Sequence, residues 1–441
     1  MIEKYLVKKI TEPVDWKVTV PGSKSMTNRA LLMAVLSAGT VRVEGVLFSD
    51  DSRHFLACLV ALGFTVEIEE EKKCVTVTGC GGRIPRGEAV IDVGSAGTAA
   101  RFLAAMLGFS DGCYEIRCSA QMKRRPMAEL FDLLSGAGAK ITFLEEEGHL
   151  PVRITGCRYA RADKTAGETP RELSLDITKS TQFLSALLLI APMVPEGMKI
   201  HITSEKTDGS YIRITRKMMQ EFGVSVAFDG RDYEVPCRSS YRKETYMVEP
   251  DMSAACYFYA AAAVTGGRAL VRHVHMDNTQ GDLRFLEVLE HMGCTADDTP
   301  EGVLVTGPAD GALRGITVNM NDFSDQALTL AAIAPFADAP VRIEGIGHIR
   351  GQECDRIHAI QTNLTALGIR CEEEETAATI YPGSPHGGSV ETYDDLRVVM
   401  AFSLVGLRTD GIVIENPACC RKTFENYFTV LSELTGKKTE A

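Results

Sequence analysis

The fold of this chain is decided by a stretch with two kinds of apolar spacing, LVALGFTVEIEEEKKCVTVTG at residues 59–79. Apolar residues at helical spacing end at Gly63, and a run that alternates between apolar and polar residues follows. Glycine commonly ends a helix because it adopts a left-handed backbone conformation at little cost. The stretch therefore predicts a helix, a glycine stop and a β-hairpin.

The same pattern recurs along the chain. It reads LLSGAGAKITFLEEEGHLPVRITG (133–156), MMQEFGVSVAFDGRDYEVP (218–236), LEHMGCTADDTPEGVLVTG (289–307) and LTALGIRCEEEETAATIYPG (364–383). The stop glycines are Gly63, Gly138, Gly223, Gly293 and Gly368, at intervals of 75, 85, 70 and 75 residues. Such even spacing indicates an internal structural repeat.

A sixth helix, FENYFTVLSELTG, reaches Gly436 without a hairpin of its own. Near the other end, YLVKKI and WKVTV within residues 5–20 have strand character and no preceding helix. We interpret them as a strand pair, and we predict that the two termini complete one unit together.

Six βαβ-type units, each unable to cover its apolar helix face alone, are expected to pack as two groups of three. The predicted first domain is discontinuous and comprises residues 1–21 plus 250–441, with 22–249 as the second. A hinge is expected near 21–22 and 249–250, with the ligand in the cleft.

Composition narrows the class of protein. The 441 residues carry a formal charge of -12, which argues against nucleic acid or an anionic membrane as the main partner. Thirteen cysteines without a C-x-x-C pair are expected to be reduced thiols in the cytoplasm. The most apolar run, FLSALLLIAPMV at 183–194, is too short for a bilayer and predicts a buried helix.

Polar and charged groups gather where predicted helices begin. VPGSKSMTNRALLMA places Lys24, Ser25 and Arg29 at one such start, where backbone N–H groups favour an anion. Gly97 opens another in DVGSAGTAARFLAAM, and at most one arginine of the run 123–125 is expected to point inward. Ser180, Thr181 and Gln182 offer more hydrogen-bonding groups than capping needs, and Asp325, Glu353, Arg356, Arg397 and Lys422 lie near later helix starts. Each signal alone is also explained by a capped or solvated helix, but together they favour one site for a polyanion.

Seven motifs in one order carry a family resemblance. They are PGSKSMTNR (21–29), SAGTAAR (95–101), RRPM (124–127), STQF (180–183), SDQALT (324–329), ECDRI (353–357) and KTF (422–424). The chain thereby resembles the 5-enolpyruvylshikimate-3-phosphate synthases over essentially its whole length. The resemblance implies the two-domain enolpyruvyl transferase fold, an α/β architecture in which each domain is an inside-out barrel of three repeats.

The resemblance also implies a reaction and a set of site residues. The enolpyruvyl group of phosphoenolpyruvate would pass to the 5-hydroxyl of shikimate 3-phosphate with release of phosphate, without metal or organic cofactor, in a monomer. Phosphoenolpyruvate would be bound by Lys24, Gly97, Arg125, Gln182, Arg356, Arg397 and Lys422. The acceptor would be bound by Lys24, Ser25, Arg29, Ser180, Thr181, Gln182, Tyr211, Asp325, His348 and Gln352. Asp325 is expected to act as the base at the hydroxyl, Glu353 at C3 and Lys24 as electrostatic and proton-transfer partner.

Several positions depart from the family pattern. Gln352 stands for a lysine, Leu396 for a histidine, Ser95 for an asparagine, His348 for an asparagine and Asp208 for a serine that helps bind the acceptor phosphate. Arg213, His348 or Arg350 are candidates to replace the missing phosphate contacts. Two alternatives stay open: a related enolpyruvyl transferase with a different, possibly unphosphorylated acceptor, and a catalytically silent ligand-binding paralogue. The UDP-N-acetylglucosamine enzyme is disfavoured because Ala120 stands where its loop cysteine is expected.

Overall fold

The chain is described by a computed structural model, in which the structure describes residues 4–158, 169–308 and 312–436. Two compact units are formed. Unit 1 comprises Met1–Pro21 with Pro250–Ala441, and unit 2 comprises Gly22–Glu249. No disulfide joins any of the thirteen cysteines, all of which lie in described residues. Across the described residues, no helix combines the length and apolar character that crossing a membrane requires.

The α-helices of the described residues are α1 Lys24–Leu36, α2 Asp50–Ala61, α3 Gly97–Gly108, α4 Ala120–Lys123, α5 Ala128–Gly136, α6 Gln182–Ile190, α7 Ser210–Glu221, α8 Met252–Thr265, α9 Phe285–His291, α10 Ala327–Ile333, α11 Arg356–Ala366, α12 Leu396–Arg408 and α13 Tyr427–Leu434. The strands are β1 Lys4–Leu6, β2 Asp15–Val18, β3 Thr40–Glu44, β4 Thr65–Glu69, β5 Cys74–Thr78, β6 Glu88–Asp92, β7 Cys113–Arg117, β8 Lys140–Phe143, β9 Val152–Thr155, β10 Arg171–Leu175, β11 Met198–Ile202, β12 Ala227–Phe228, β13 Asp232–Val235, β14 Thr245–Met247, β15 Arg268–Arg272, β16 Thr295–Thr299, β17 Gly302–Thr306, β18 Thr317–Asn319, β19 Val341–Glu344, β20 Cys371–Glu373, β21 Ala378–Ile380, β22 Gly388–Val390 and β23 Ile412–Glu415.

The repeat is built as the glycines predict. All six stop glycines have positive φ, from +65° at Gly436 to +105° at Gly293, and each lies two residues beyond the end of a helix. A side chain there would strain the left-handed backbone, so glycine ends the helix and turns the chain into its hairpin. The predicted α/β class with six βαβ-type repeats is confirmed.

Each unit has three buried helices at its centre and three sheets around them. Helices α1, α3 and α6 pack on one another in unit 2, and α8, α10 and α12 do so in unit 1. Every residue of α3 is buried, and so is every residue of α8 up to Val264. The predicted buried helix at 183–194 is confirmed as α6 and the short 3-10 turn after it. The sheets lie outside, which is the inside-out arrangement that the family resemblance implies.

The described strands form six sheets with one common plan, a parallel pair followed by an antiparallel hairpin. Their strand orders are β14-β3-β5-β4, β6-β7-β9-β8 and β10-β11-β13-β12 in unit 2, and β2-β15-β17-β16, β18-β19-β21-β20 and β1-β23-β22 in unit 1. In the last of these, β1 replaces the hairpin and pairs antiparallel with β23.

The interpretation of residues 5–20 as a strand pair is wrong. β1 pairs with β23, whereas β2 runs parallel to β15 in a different sheet. In a regular repeat the strands on either side of a buried helix pair with each other, as β6 and β7 do around α3. β2 precedes α1, but α1 belongs to unit 2, so β2 stays in unit 1 with β15, and β14 takes the vacant place beside β3.

Candidate active site

The predicted site residues divide between the units. Unit 2 holds Lys24, Ser25, Arg29, Gly97, Arg125, Ser180, Thr181, Gln182 and Tyr211, and unit 1 holds Asp325, His348, Gln352, Glu353, Arg356, Arg397 and Lys422.

In unit 2, two guanidinium groups converge on Gly97, the first residue of α3. A Cβ atom at this position would lie 2.4 Å from Arg125 Nη1 and 2.8 Å from Arg101 Nη1. Arg101 Nη1 also donates to Gln182 Oε1 at 2.8 Å, which brings the first residue of α6 to the same place. The absence of a side chain at Gly97 is therefore what allows the two cations to approach its backbone.

Charge is poorly compensated at this cluster. Arg101 is 4% exposed, and its guanidinium carbon lies 5.5 Å from the centre of the Phe183 ring. The Nε atoms of Arg101 and Arg125 are buried without a hydrogen-bond partner among the described residues. Burial and then the charge of Arg125 hold the pKa of Arg101 well below its usual range. These two guanidinium groups, that of Arg101 buried and that of Arg125 half-buried, have no bonded carboxylate among the described residues and are suited to receive an anion.

Of the cationic run at 123–125, one arginine points inward, as expected. Lys123 pairs with Glu145 at 2.6 Å on the surface and Arg124 is exposed, whereas Arg125 turns towards Gly97.

Lys24 is the first residue of α1, and its Nζ lies 3.4 Å from Asp51 Oδ2 on α2. The Asp51 side chain is 7% exposed and that of Lys24 is 20% exposed. Ser25 follows, and its hydroxyl lies 3.3 Å from that of Ser23. The ion pair places a cation at the helix start that stays accessible to solvent.

Arg29 lies one turn further and is 2% exposed. Its guanidinium donates only to neutral oxygens among the described residues, including Thr215 Oγ1 at 2.8 Å and the Ser25 carbonyl at 2.9 Å. Burial lowers the pKa of Arg29 to about 10, and Tyr211, whose ring lies 5.8 Å from it, opposes this shift. Arg29 is a second buried cation without a paired carboxylate.

The polar residues at the start of α6 have different hydrogen-bond partners. Ser180 Oγ accepts the main-chain N–H of Gln182 at 3.2 Å and so caps the turn, while the Gln182 side chain is turned to Arg101. Thr181 lies beside Gly209, whose added Cβ would meet its methyl group at 3.4 Å.

Asp208, expected to oppose an acceptor phosphate, is itself engaged. Its carboxylate accepts from Arg213 Nη1 at 3.0 Å and from the Tyr233 hydroxyl at 3.1 Å. The two unusual residues of this segment therefore compensate each other's charge.

In unit 1, Asp325 lies between two arginines. Arg356 Nη1 donates to Asp325 Oδ1 at 2.8 Å and Arg397 Nη2 to Oδ2 at 2.9 Å. Arg356 also forms a two-pronged pair with Asp395, the fully buried N-cap of α12, at 2.8 and 3.2 Å. Burial lowers the pKa of Arg356, but Asp395 and Asp325 together raise it above its usual range.

Glu353 and Lys422 form a second pair at 3.1 Å, with side chains only 12% and 13% exposed. Lys422 Nζ also donates to the Asp394 carbonyl at 2.7 Å. Tyr393 and Asp394 both have positive φ, +52° and +57°, an arrangement that costs energy for residues with a Cβ. This turn directs the Asp394 carbonyl to the lysine.

The departures from the family pattern have individual explanations. Gln352 Oε1 accepts from Arg356 Nη1, which a lysine at this position could not do. Arg350 is bound to Asp355 by two bonds of 2.9 and 2.7 Å. His348 Nε2 lies 2.8 Å from Ser324 Oγ, beside Asp325, and Leu396 is buried.

The carboxylates that pair with the cations, Asp51 and Asp395, are not among the residues predicted for the site, and neither is Arg101. Asp395 directly precedes the Leu396-Arg397 pair at the start of an apolar helix, which is a capping signal that does not name the partner arginine.

Comparison with known proteins decides the family. The family model described as EPSP synthase (3-phosphoshikimate 1-carboxyvinyltransferase) matches residues 8–431. The chain belongs to the EPSP synthase family. Among EPSP synthase relatives, the 3-phosphoshikimate 1-carboxyvinyltransferase of Trichormus variabilis is 40% identical over 429 residues, 97% of this chain and 98% of that protein. That of Sulfurovum sp. is 39% identical over 426 residues, 96% of this chain and 97% of the relative.

Solved structures agree with the EPSP synthase assignment. An EPSP synthase from Acinetobacter baumannii aligns with TM-score 0.77 and 25% identity, over 98% of this chain and 97% of that one. The enolpyruvyl transferase NikO from Streptomyces tendae shares the fold, with TM-score 0.72 and 17% identity over 98% of this chain and 97% of its own. The predicted family, fold and enzyme class are confirmed.

Proposed function

We propose that this enzyme transfers the enolpyruvyl group of phosphoenolpyruvate to the 5-hydroxyl of shikimate 3-phosphate, with release of phosphate. The observation that carries the proposal is that the guanidinium groups of Arg101 and Arg125 converge on Gly97 without a bonded carboxylate among the described residues. The family membership supports the same reaction.

In unit 2, Gly97, Arg125, Gln182 and Lys24 are proposed to bind phosphoenolpyruvate. The uncompensated guanidinium of Arg125 supplies charge, and Gly97 allows close approach. Ser25, Arg29, Ser180, Thr181 and Tyr211 are the proposed acceptor residues. Arg29 is 2% exposed. It can therefore bind the carboxylate of the acceptor only if the ligand reaches into this buried position or if Tyr211 moves aside.

In unit 1, Asp325 is proposed to take the proton of the acceptor hydroxyl as its oxygen bonds to C2 of phosphoenolpyruvate. Glu353, paired with Lys422, is proposed to deliver a proton to C3, and Lys24 to assist as an electrostatic and proton-transfer partner. The C2–O bond to phosphate in the tetrahedral intermediate then breaks, C3 returns its proton to Glu353, which restores the double bond, and the proton held by Asp325 leaves with the phosphate. His348 and Gln352 are proposed to position the acceptor.

The two ion pairs of Asp325 link phosphoenolpyruvate binding to the basicity of Asp325 in the proposed mechanism. Two guanidinium donors stabilise its charged form and oppose proton uptake. An incoming phosphoenolpyruvate that attracts Arg356 and Arg397 would release Asp325 and make it a better base. Arg356 and Arg397 would therefore bind phosphoenolpyruvate by exchanging the Asp325 carboxylate for the substrate.

A second acceptor class is favoured by one specific observation. Gln352 is neutral, and Arg350 is bonded to the carboxylate of Asp355, so neither position offers an uncompensated cation to the acceptor phosphate in this arrangement. An unphosphorylated acceptor would not need those contacts.

The deciding experiment measures inorganic phosphate released from phosphoenolpyruvate with shikimate 3-phosphate and, in parallel, with shikimate. Release with the phosphorylated acceptor supports the synthase. Release with shikimate alone supports the second class, and silence with both despite phosphoenolpyruvate binding points to a different acceptor or to a ligand-binding paralogue.

The two units are further proposed to be the two domains, joined by a hinge near 21–22 and 249–250. A cytoplasmic monomer is proposed as well. Thirteen cysteines outside disulfides support a reducing compartment. Sedimentation tests the oligomeric state.

A further inference from the structure

A buried carboxyl group that the proposed mechanism does not use lies behind Asp325 in unit 1. Asp282 belongs to the 3-10 turn Gly281–Arg284 and is 5% exposed. A carboxylate is costly to bury without partners, and Asp282 has two. Its Oδ2 accepts two side-chain hydrogen bonds, and each leads to a different part of the proposed site.

The first bond leads to Arg397. The Ser253 hydroxyl donates to Asp282 Oδ2, and Arg397 Nη2 lies 3.4 Å from the same Ser253 oxygen. Because the single hydroxyl hydrogen is directed to Asp282, a lone pair of Ser253 faces the guanidinium. Asp282 thus makes Ser253 an acceptor for Arg397, whose Nη2 also bonds Asp325.

The second bond leads to the chain that carries Asp325. Gln326 Nε2 donates to Asp282 Oδ2 at 2.7 Å, and Gln326 Oε1 accepts from Thr329 Oγ1 at 2.9 Å. Gln326 is completely buried and directly follows Asp325. With both ends of its amide bound, Gln326 cannot rotate, and the turn that presents Asp325 is fixed.

We infer that Asp282 is a positioning residue, which sets the geometry of the Arg397–Asp325 pair from behind through Ser253 on one side and Gln326 on the other. Because Asp282 is 5% exposed, it is not assigned a contact with either substrate. The inference rests on the proposed function, because it assigns Asp282 to the preparation of a phosphoenolpyruvate-binding arginine and of the proposed base.

The electrostatics agree with this geometry. Burial and then the charge of Asp325 raise the pKa of Asp282 to about 6, whereas Arg397 and the bonds from Ser253 and Gln326 oppose the shift. The Cys256 thiol on α8 faces the Asp282 carbonyl at 3.7 Å. Asp282 and Asp325 therefore share the positive charge of Arg397.

The test compares Ser253→Ala, which breaks the link between Asp282 and Arg397, with Ser253→Thr, which keeps the hydroxyl. Asp282→Asn is the second variant. If its amide N–H group takes the place of Oδ2, it faces the donors of Ser253 and Gln326, and one hydrogen bond is lost at each. Tyr259→Phe is the matched control, since it removes a buried hydrogen bond of the same helix, to the Val303 carbonyl at 3.1 Å, away from this network.

The measured quantities are kcat, KM for each substrate and the thermal unfolding midpoint. Ser253→Ala is expected to raise KM for phosphoenolpyruvate about tenfold, the scale of one lost hydrogen bond to a charged group, and to lower kcat, with KM for shikimate 3-phosphate changed less than twofold. Asp282→Asn, which also loosens the turn that presents Asp325, is expected to raise both KM values and to lower kcat. Ser253→Thr is expected to restore most of both values. Tyr259→Phe is expected to lower only the unfolding midpoint.

Equal changes in both KM values in Ser253→Ala, or loss of unfolding midpoint with unchanged kinetics in both variants, would overturn the inference and leave Asp282 a structural residue. If the wild-type enzyme does not turn over shikimate 3-phosphate, the proposed function fails separately. In that case, binding of phosphoenolpyruvate alone, measured by calorimetry, still decides: an unaltered affinity in Ser253→Ala rejects the role of Asp282.

Discussion

The two units carry their cations in opposite ways. In unit 2, the buried guanidinium groups of Arg29 and Arg101 are bonded to neutral oxygens. In unit 1, Arg356 and Arg397 are bonded to Asp325, and Arg356 also to Asp395. Among the site cations of unit 2, Lys24 differs because it is paired with the carboxylate of Asp51.

The difference separates two ways of preparing for an anionic ligand. Uncompensated buried cations are destabilising until a ligand neutralises them, so the cost is carried by the folded protein. A compensated network is stable without ligand, but the ligand must displace a carboxylate. The comparison predicts that substitutions in the two units will divide differently between stability and activity.

The largest effect is expected for Asp325→Asn. It removes the proposed base and leaves two arginines without their carboxylate, so kcat is expected to fall about a thousandfold, within the range of general acid–base contributions. Phosphate release measures this. Asp338→Asn, which changes an exposed carboxylate of the same unit that accepts from the Gly315 N–H, is expected to keep full activity. A kcat within tenfold of wild type for Asp325→Asn would assign the base elsewhere.

The stability contrast is tested by Arg356→Met and Arg101→Met. Loss of Arg356 leaves Asp395 buried with one charge unpaired, and the free energy of unfolding is expected to fall by about 3–5 kcal/mol. Loss of Arg101 removes an uncompensated charge, and a change within about 1 kcal/mol of zero is expected, although phosphoenolpyruvate binding weakens. Urea unfolding compares the two. Equal losses would remove the distinction between the units.

Gly97→Ala is expected to act on binding alone. Its methyl group would lie 2.4 Å from Arg125 Nη1, so the arginine must shift, and KM for phosphoenolpyruvate is expected to rise about 10- to 100-fold, on the scale of a displaced charged hydrogen bond. Gly136→Ala at the exposed end of α5, where a Cβ has nothing within 4 Å, is the matched control. Unchanged KM in Gly97→Ala would show that Arg125 yields without cost.

The smallest effect concerns pH. The pKa of Asp282 is raised to about 6, above its value in an unfolded chain, so the folded state holds this proton more tightly. Stability from this group is present at low pH and is lost as pH rises through about 6, with a slope on the order of 1 kcal/mol per pH unit. The difference in unfolding free energy between wild type and Asp282→Asn should therefore change between pH 4 and pH 7. A constant difference would place the Asp282 pKa in its ordinary range.

Much of the fold was predictable because its signals are local. A stop glycine needs only its own left-handed backbone, and all six occur where the sequence indicates. Strand partners were not predictable in the same way. β1 and β2 are neighbours in sequence, but their partners β23 and β15 lie about 400 and 250 residues away, and alternation of apolar residues does not identify a partner.

For the site, too, local features could be predicted and long-range partners could not. Helix starts with Lys24, Arg356 and Arg397 could be found from residue type and position. The carboxylates Asp51, Asp395 and Asp282 come from separate elements, and their pairing depends on tertiary packing. The cations could therefore be predicted from the sequence, but which of them are paired with carboxylates could not.

The exchange of β2 and β14 has a consequence for synthesis on the ribosome. Unit 2 is a continuous segment and can complete all of its sheets as soon as β14 has emerged. β1 and β2, made before it, must wait for β23 and β15, and during this time they present unpaired backbone groups. Lys4, Lys8, Lys9 and Lys17 lie in or beside these strands, and such charges discourage the pairing of waiting strands with other nascent chains.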